Sequence, residues 1–162
     1  MADDAKQVVQ DYYKRLNGHD LGSASELLSE DCAVTVADER LDREAYLDFL
    51  RSWISAFPDL RNRLEEVVAE ASAVAVRSTW EGTHEGPFVG APATGRRVTF
   101  GSFSTSRVED GRIVERRILA NVFGLLQQIG DVSWRAHSAG ASGTRDIAGD
   151  ITAAVRVLPA TE

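Results

Sequence analysis

Pro58 divides the chain into two kinds of hydrophobic pattern, and that change of period constrains the fold more than any other feature. Before it, Val8, Val9, Tyr12, Tyr13 and Leu16 recur at helical spacing over Ala5 to Leu16, and Asn17-Gly18 ends the pattern with a pair suited to a helix C-terminus. Tyr46, Phe49, Leu50, Trp53, Ile54 and Phe57 repeat the three- and four-residue steps across a helix from Asp42 to Ala56, which Asp42 can cap and Pro58 stops. Between them, Ser23 to Leu28 reads as a short helix and Cys32 to Val36 as a strand. After Pro58, the stretches Leu60 to Glu70, Val74 to Glu81, Arg96 to Val108 and Arg112 to Asn121 are rich in Val, Thr, Phe and Ile and read as strands. Glu109-Asp110-Gly111 is a tight turn between the last two, with Gly111 supplying a positive φ. Helices followed by an antiparallel meander predict an α+β fold.

The facing of the last two strands decides which residues share a pocket. In the final one, Ile113, Glu115, Arg117, Leu119 and Asn121 alternate to one side and Val114, Ile118 and Ala120 to the other. In the strand before it, Val98 and Phe100 share a face while Phe103 has the opposite parity, which predicts a bulge near Gly101 and leaves the facing of Ser102, Ser104 and Ser106 open. Gly82 to Gly95 holds four glycines and two prolines without periodicity and reads as a long ordered loop of the kind that forms lids and rims. Beyond Gly130 the composition turns to Ala, Ser and Gly before a last apolar run, ITAAVRVL, so we divide the chain into a domain over 1–130 and an extension over 131–162.

A chain of 162 residues with 43% hydrophobic composition supports one core and is too short for two ordinary domains. The net charge of -7, with no basic stripe, argues against a nucleic-acid surface. Cys32 stands alone, so no intrachain disulfide can form; its apolar setting predicts an inert thiol and a reduced intracellular compartment. The acidic start MADDAKQ lacks the apolar core of an export signal, and no run of about 18 apolar residues occurs, so the expectation is a soluble cytoplasmic protein without membrane contact. His19, His84 and His137 are not spaced as metal ligands, the glycine blocks lack the strand-and-helix setting of a dinucleotide fingerprint, and neither a Walker lysine nor a G-x-S-x-G elbow is present. No cofactor or metal is expected.

The blocks AFPDL (56–60), AVAVR, GTHEGPFVG, ATGRRV, RVEDGRIVE and GLLQQIG (124–130) appear in an order that resembles the SnoaL-like polyketide cyclases across about 1–130. The resemblance implies a cone-shaped α+β barrel of the nuclear transport factor two and scytalone dehydratase type, a strongly curved and mostly antiparallel sheet packed on N-terminal helices around a pocket. It also implies a homodimer joined through the open face of the sheet. In that family the ending reads Glu, a Trp two residues on, and an Asp four beyond it that transfers the proton in an intramolecular aldol closure. Here Glu115 and the Gly124–Gln128 run fit, but Arg117 replaces the Trp and Asn121 the Asp, and Ser104 and Ser106 stand where many relatives carry His. An amide does not titrate, so Asn121 cannot do the work of that acid.

These residues define an expected site. Asn121, Arg117 and Ser106 would position and polarise a substrate, with Glu65 or His84 moving the proton. Tyr13, Trp53, Phe57, Trp80, Phe103 and Ser104 would contact it. Each has a plainer alternative: a satisfied amide at the barrel end for Asn121, a solvated pair with Glu115 for Arg117, surface charge for Glu65 and Glu81, a structural hydrogen bond for His84, and core packing for the aromatics. The leading function is a cofactor-independent tailoring enzyme that closes a ring or opens an epoxide on an aromatic or polyketide-derived small molecule. The alternatives are a component of a hydroxylation step and a non-catalytic binding or dimerisation module, the latter favoured by a cavity too small for a polycyclic ligand or filled by Phe and Trp.

Overall fold

The computed structural model describes residues 1–130; the extension expected over 131–162, with His137, lies outside them. The first helix, α1 (Ala2–Asn17), turns Ala5, Val9, Tyr12, Tyr13 and Leu16 inward. The short α2 (Leu21–Glu26) is capped by Asp20, whose carboxylate accepts from Ser23 N–H at 3.0 Å. It ends two residues earlier than its composition suggested, because Leu28 already belongs to β1 (Leu28–Val36) and is buried opposite Ile113. A three-residue β2 (Glu39–Leu41) pairs back on β1, and α3 (Arg43–Ala56) follows, with Asp42 accepting from Ala45 N–H at 2.9 Å as the expected cap. Pro58 then separates α3 from β3 (Arg61–Glu70), β4 (Ala73–Thr83), β5 (Arg97–Glu109) and β6 (Arg112–Ala120), and α4 (Val122–Ile129) closes the described chain.

The six strands form one sheet in the order β2-β1-β6-β5-β4-β3, antiparallel except where β1 runs parallel to β6. α1 packs against β3, β4, β5 and β6 together, and one helix can touch four successive strands only if the sheet curls around it. The interior holds two apolar clusters. One gathers Val9, Tyr12, Tyr13, Cys32, Val34, Tyr46, Val76 and Ile113 beneath α1 and α3; the other gathers Trp53, Phe57, Phe88, Val98, Phe100, Leu125 and Leu126 toward the 84–96 loop. Phe49 and Trp80 touch both. Burial pushes the Cys32 thiol up to about 11, in keeping with its expected inertness.

Two strand features depart from the sequence reading. No bulge occurs at Gly101: β4 and β5 keep an unbroken register from Ala73↔Arg107 to Thr83↔Arg97, and β5 alternates throughout, burying Val98, Phe100, Ser102, Ser104, Ser106 and Val108. Phe103 is therefore outward and 63% exposed, while the serines face the core. The irregularity lies in the β5–β6 pairing instead, where Arg107 pairs with Glu115 but Val108 pairs with Ile113, leaving Val114 as the extra residue. That extra residue reverses the parity of the rest of β6. Ile113 and Arg116 are buried, and Arg117 and Leu119 face solvent.

The 84–96 loop is ordered, as its glycines and prolines suggested. His84 N–H donates to Arg96 C=O at 2.9 Å, Gly95 N–H returns to His84 C=O at 2.8 Å, and Phe88 and Ala91 form an isolated bridge. Its base is seated on α3, where Glu85 and Gly86 both donate to Ala56 C=O at 3.0 Å. No helix was expected over Val122–Ile129. The Gly-Leu-Leu-Gln-Gln block forms it, burying Leu125, Leu126 and Ile129, and Gln128 uses its amide to pair with both backbone groups of Thr99 at 2.8 Å. Gly130, with φ of 86°, ends it in the left-handed conformation.

Candidate functional site

The inner wall of the cone is polar where an ordinary core would be aliphatic. Asn62 on β3, Ser78 on β4, Ser102, Ser104 and Ser106 on β5 and Arg116 on β6 are all buried on inward positions. Two hydrogen-bonded groups form from them. In the first, Trp80 Nε1 donates to Ser102 Oγ at 3.0 Å, the Ser102 and Ser78 hydroxyls are hydrogen-bonded to each other at 2.9 Å, and Asn62 Nδ2 donates to Ser78 Oγ at 2.9 Å. Asn62 is held by α1, since Asn17 pairs with its backbone N–H at 2.7 Å and C=O at 2.8 Å, yet its Oδ1 is buried without a partner.

The second group is built on Arg116, which is 2% exposed. Its Nη1 donates to Ser106 Oγ at 2.8 Å and its Nη2 to Tyr13 Oη at 2.5 Å, with a longer contact to Ser104 Oγ at 3.5 Å. The Tyr13 and Ser104 hydroxyls are hydrogen-bonded to each other at 2.9 Å. The guanidinium also lies 4.9 Å from the ring centres of both Tyr12 and Tyr13. Burial opposes the charge on Arg116, but the surrounding tyrosine oxygens of Tyr13, Tyr46 and Tyr12 outweigh it and raise the pKa, so the side chain stays cationic. Burial likewise pushes the Tyr12 and Tyr46 hydroxyls up, keeping both protonated.

An aromatic lane leads from this group toward the loop. Tyr13 lies 6.5 Å from Trp80, Trp80 stacks on Phe100 at 6.5 Å, Phe100 lies 5.5 Å from Trp53, and Trp53 meets Phe88 edge-on at 4.8 Å. Beside the lane, a cavity of about 20 Å³ between Leu16, His19, Leu50, Trp53, Ile54, Leu60 and Trp80 has room for about one water. His84 packs its ring on Phe57 at 5.4 Å, and its Nδ1 meets Thr94 Oγ1 at 3.0 Å while its Nε2 is buried without a partner.

The residues expected at the site thus divide. Tyr13, Trp80, Ser104 and Ser106 come together on the inner wall, and Trp53, Phe57 and His84 form its loop-side end. Asn121 is not strand but the N-cap of α4, exposed, with Oδ1 accepting from Gly124 N–H at 2.9 Å. Arg117, Glu65 and Phe103 are on the outer face, contrary to their expected facing. Arg117 pairs with Glu115 at 3.0 Å in solvent. Glu65 accepts from Thr79 at 2.8 Å and pairs with Arg63, and these contacts hold its carboxyl below the usual range, the reverse of a desolvated base. Glu81 pairs with Arg97 on the surface. Arg116, which sequence reasoning passed over, takes the inward place because of the extra residue at Val114. Among the described residues no three His, Cys, Asp or Glu side chains converge as a metal site, and no helix is long and apolar enough to cross a membrane.

No curated protein sequence matches this chain. Among solved structures it is similar to AclR, a candidate hydroxylase from Streptomyces galilaeus, at 27% identity over 82% of this chain and 100% of that one, with a TM-score of 0.78. It is similar to wild-type IdmH, a candidate polyketide cyclase from Streptomyces antibioticus, at 29% identity over 78% and 98% of the two chains and a TM-score of 0.72. TsrD from Streptomyces laurentii shares the fold, at 24% identity over 82% and 98% and a TM-score of 0.73. The sequence pattern of the SnoaL-like polyketide cyclases matches residues 6–129, and with the cone described above it establishes that the chain belongs to that family.

Proposed function

We propose that this chain is a cofactor-independent tailoring enzyme of aromatic-polyketide-type biosynthesis that closes a ring, or opens an epoxide, inside the cone. The observation that carries the reading is the run of buried polar side chains on the inner face of four adjacent strands, beside Tyr13 and an aromatic lane. A core selected for stability alone has no use for them, because each buried hydroxyl must find a partner. In this reading Ser104, Ser106 and Tyr13 hold and polarise the reacting oxygen, with Trp53, Phe57 and Trp80 flanking the rings. His84, buried with a free ring nitrogen, takes the proton from the carbon acid; the enolate carbon then attacks the carbonyl carbon as its C=O π bond opens onto oxygen, and the imidazolium returns the proton to that oxygen. Asn121 commits its Oδ1 to the α4 cap and leaves Nδ2 to donate to a substrate carbonyl. Glu65, Arg117 and Phe103, being outward, have no part in it.

Turnover of a panel of aromatic polyketide intermediates, with products resolved by chiral chromatography and mass, tests the assignment. Wild type is expected to form a cyclised or ring-opened product, and His84→Gln to lower kcat by roughly 100-fold or more. Asn121→Asp is expected to abolish or redirect the product. Aspartate caps helix N-termini as well as asparagine, so α4 stays in place and the change reports chemistry. Among the described residues the close packing of Trp53, Phe57, Phe88 and Phe100 beside a cavity of about 20 Å³ is the outcome that favours the binding-module alternative, and an inert wild type with cyclisation gained by Asn121→Asp would decide for it. The likeness to AclR favours a part in hydroxylation as a second reading, which needs dioxygen and an electron-donating partner and predicts, when both are supplied, a product heavier by one oxygen atom.

The outer face of the sheet supports a homodimer. Val68, Phe103 and Leu119 are 57%, 63% and 64% exposed around a groove of about 640 Å³, a surface that solvent exposure penalises. Sedimentation should give a dimer at micromolar concentration, and Phe103→Glu should give a monomer; a monomeric wild type removes the proposal.

A further inference from the structure

The inner wall of the cone holds more hydrogen-bond donors than acceptors, and it holds a cation. Arg116 forms no ion pair among the described residues, and its Nε is buried without a partner. Tyr13 and Ser104 have two hydroxyl protons and one shared bond between them. Tyr13 Oη already accepts from Arg116, so in either orientation one proton of the pair lacks an acceptor among the described residues. Ser106 Oγ accepts from Arg116, and its own proton is likewise unplaced. Ser78 and Ser102 repeat the pattern, each receiving a donor and sharing one bond, with one proton left over. Against these surplus donors, Asn62 Oδ1 is an orphaned side-chain acceptor on this wall, and His84 Nε2 is a second unpartnered atom at its loop-side end. Arg116 is held by two hydrogen bonds and by the faces of the Tyr12 and Tyr13 rings, with no carboxylate among its partners, so the wall carries a standing positive charge with spare O–H groups around it. Such a set suits an oxyanion.

We propose that Arg116 supplies the standing positive charge of an oxyanion site, delivered through the Tyr13 hydroxyl, and that the cone takes ligands bearing an ionised oxygen on an aromatic or enolic carbon. The inference rests on the reading of the cone as the ligand chamber and names the ligand's chemistry. The ligand oxygen accepts the pair's one spare proton from Tyr13 Oη, while Ser104 Oγ donates to Tyr13 in turn. Arg116 lies behind Tyr13, and its 2.5 Å bond polarises that hydroxyl. Arg116 is therefore a positioning residue that acts through Tyr13, and the aromatic lane from Tyr13 through Trp80, Phe100 and Trp53 lies where a conjugated ring attached to that oxygen would run.

Three compact chromophores test this with the full chain. They are 4-nitrophenol, whose absorption moves to longer wavelength on ionisation, its neutral methyl ether 4-nitroanisole, and 4-nitrobenzoate. Wild type is expected to bind nitrophenol as the anion at a pH where the free phenol is mostly neutral, lowering its ionisation midpoint by about one pH unit or more, and to prefer it to the ether by roughly tenfold or more. Arg116→Met should erase the anion absorption and weaken phenol binding by roughly tenfold while leaving the ether within about twofold. Tyr13→Phe, which keeps the charge and removes the hydroxyl, should lose most of the same signature. Tight binding of nitrobenzoate in place of nitrophenol would put the ionised oxygen on a carboxyl carbon and would overturn the ligand class proposed. Nitrophenol bound in its neutral form, or the ether bound as tightly as the phenol, overturns the inference while leaving the cone as a ligand chamber. Failure of all three probes to bind at millimolar concentration also overturns it. The wild-type comparison decides even if Arg116→Met does not fold. An anion signature without turnover of the polyketide panel would leave this site standing and the enzyme reading fallen.

Discussion

Phe57→Ala is expected to cost about 3–5 kcal/mol of folding stability, the largest effect of any single truncation at the loop end of the cone. Phe57 is fully buried at the point where α3 gives way to β3. Its ring meets Phe88 edge-on at 5.2 Å, lies 6.0 Å from Trp53, and carries the His84 imidazole at 5.4 Å. Removing it opens a void bounded by three large side chains, and these belong to α3 and to the 84–96 loop, so neither element can collapse inward without giving up its own contacts. Cavity formation then adds to the lost transfer energy. A domain of this size has only about 5–15 kcal/mol of net stability, so urea unfolding should show a large fall in midpoint. Phe57→Leu, which keeps most of the volume, should cost less than half as much, by about 1–1.5 kcal/mol. Equal losses in the two variants would mean that the ring is not packed as described.

Gly86→Ala is expected to cost roughly 2–4 kcal/mol, through a clash that no side-chain movement relieves. A Cβ at Gly86 would collide with Ser55 C=O and lie 3.1 Å from Ala56 Cα, both backbone atoms of the last turn of α3. The loop cannot retreat freely, because the N–H groups of Glu85 and Gly86 both end on Ala56 C=O at 3.0 Å. Moving away breaks two hydrogen bonds, and staying forces a contact well inside van der Waals distance. Gly90 in the same loop provides the contrast. Its φ is 78°, but nothing lies within 4 Å of the position its Cβ would take. Gly90→Ala should therefore lose only the left-handed backbone preference, about 1 kcal/mol. Denaturant titration of the two variants separates steric approach from backbone strain; if Gly86→Ala proves the milder of the two, the docking of this loop on α3 is wrong.

Much of this protein was legible in its sequence because the governing interactions are local. The three- and four-residue spacing of Val9, Tyr12, Tyr13 and Leu16, and of Tyr46, Leu50 and Trp53, marked the faces that α1 and α3 bury. Asp42 marked a cap and Gly111 the positive φ of a hairpin turn, and the order of the sequence blocks pointed to the cone and to its family. What the sequence left open depended on pairing between strands far apart in the chain. Whether β5 ran straight through Gly101 was settled by its neighbour β4, and whether Arg116 or Arg117 faced inward was settled by one extra residue in the ladder between β5 and β6. Because side chains in a strand alternate with a period of two, a single unpaired residue exchanges the inner and outer sets completely. Residue types and helix faces were therefore determined by the sequence alone, while the chemistry of the inner wall, a buried arginine among tyrosines and serines, was decided only by strand register in the folded sheet.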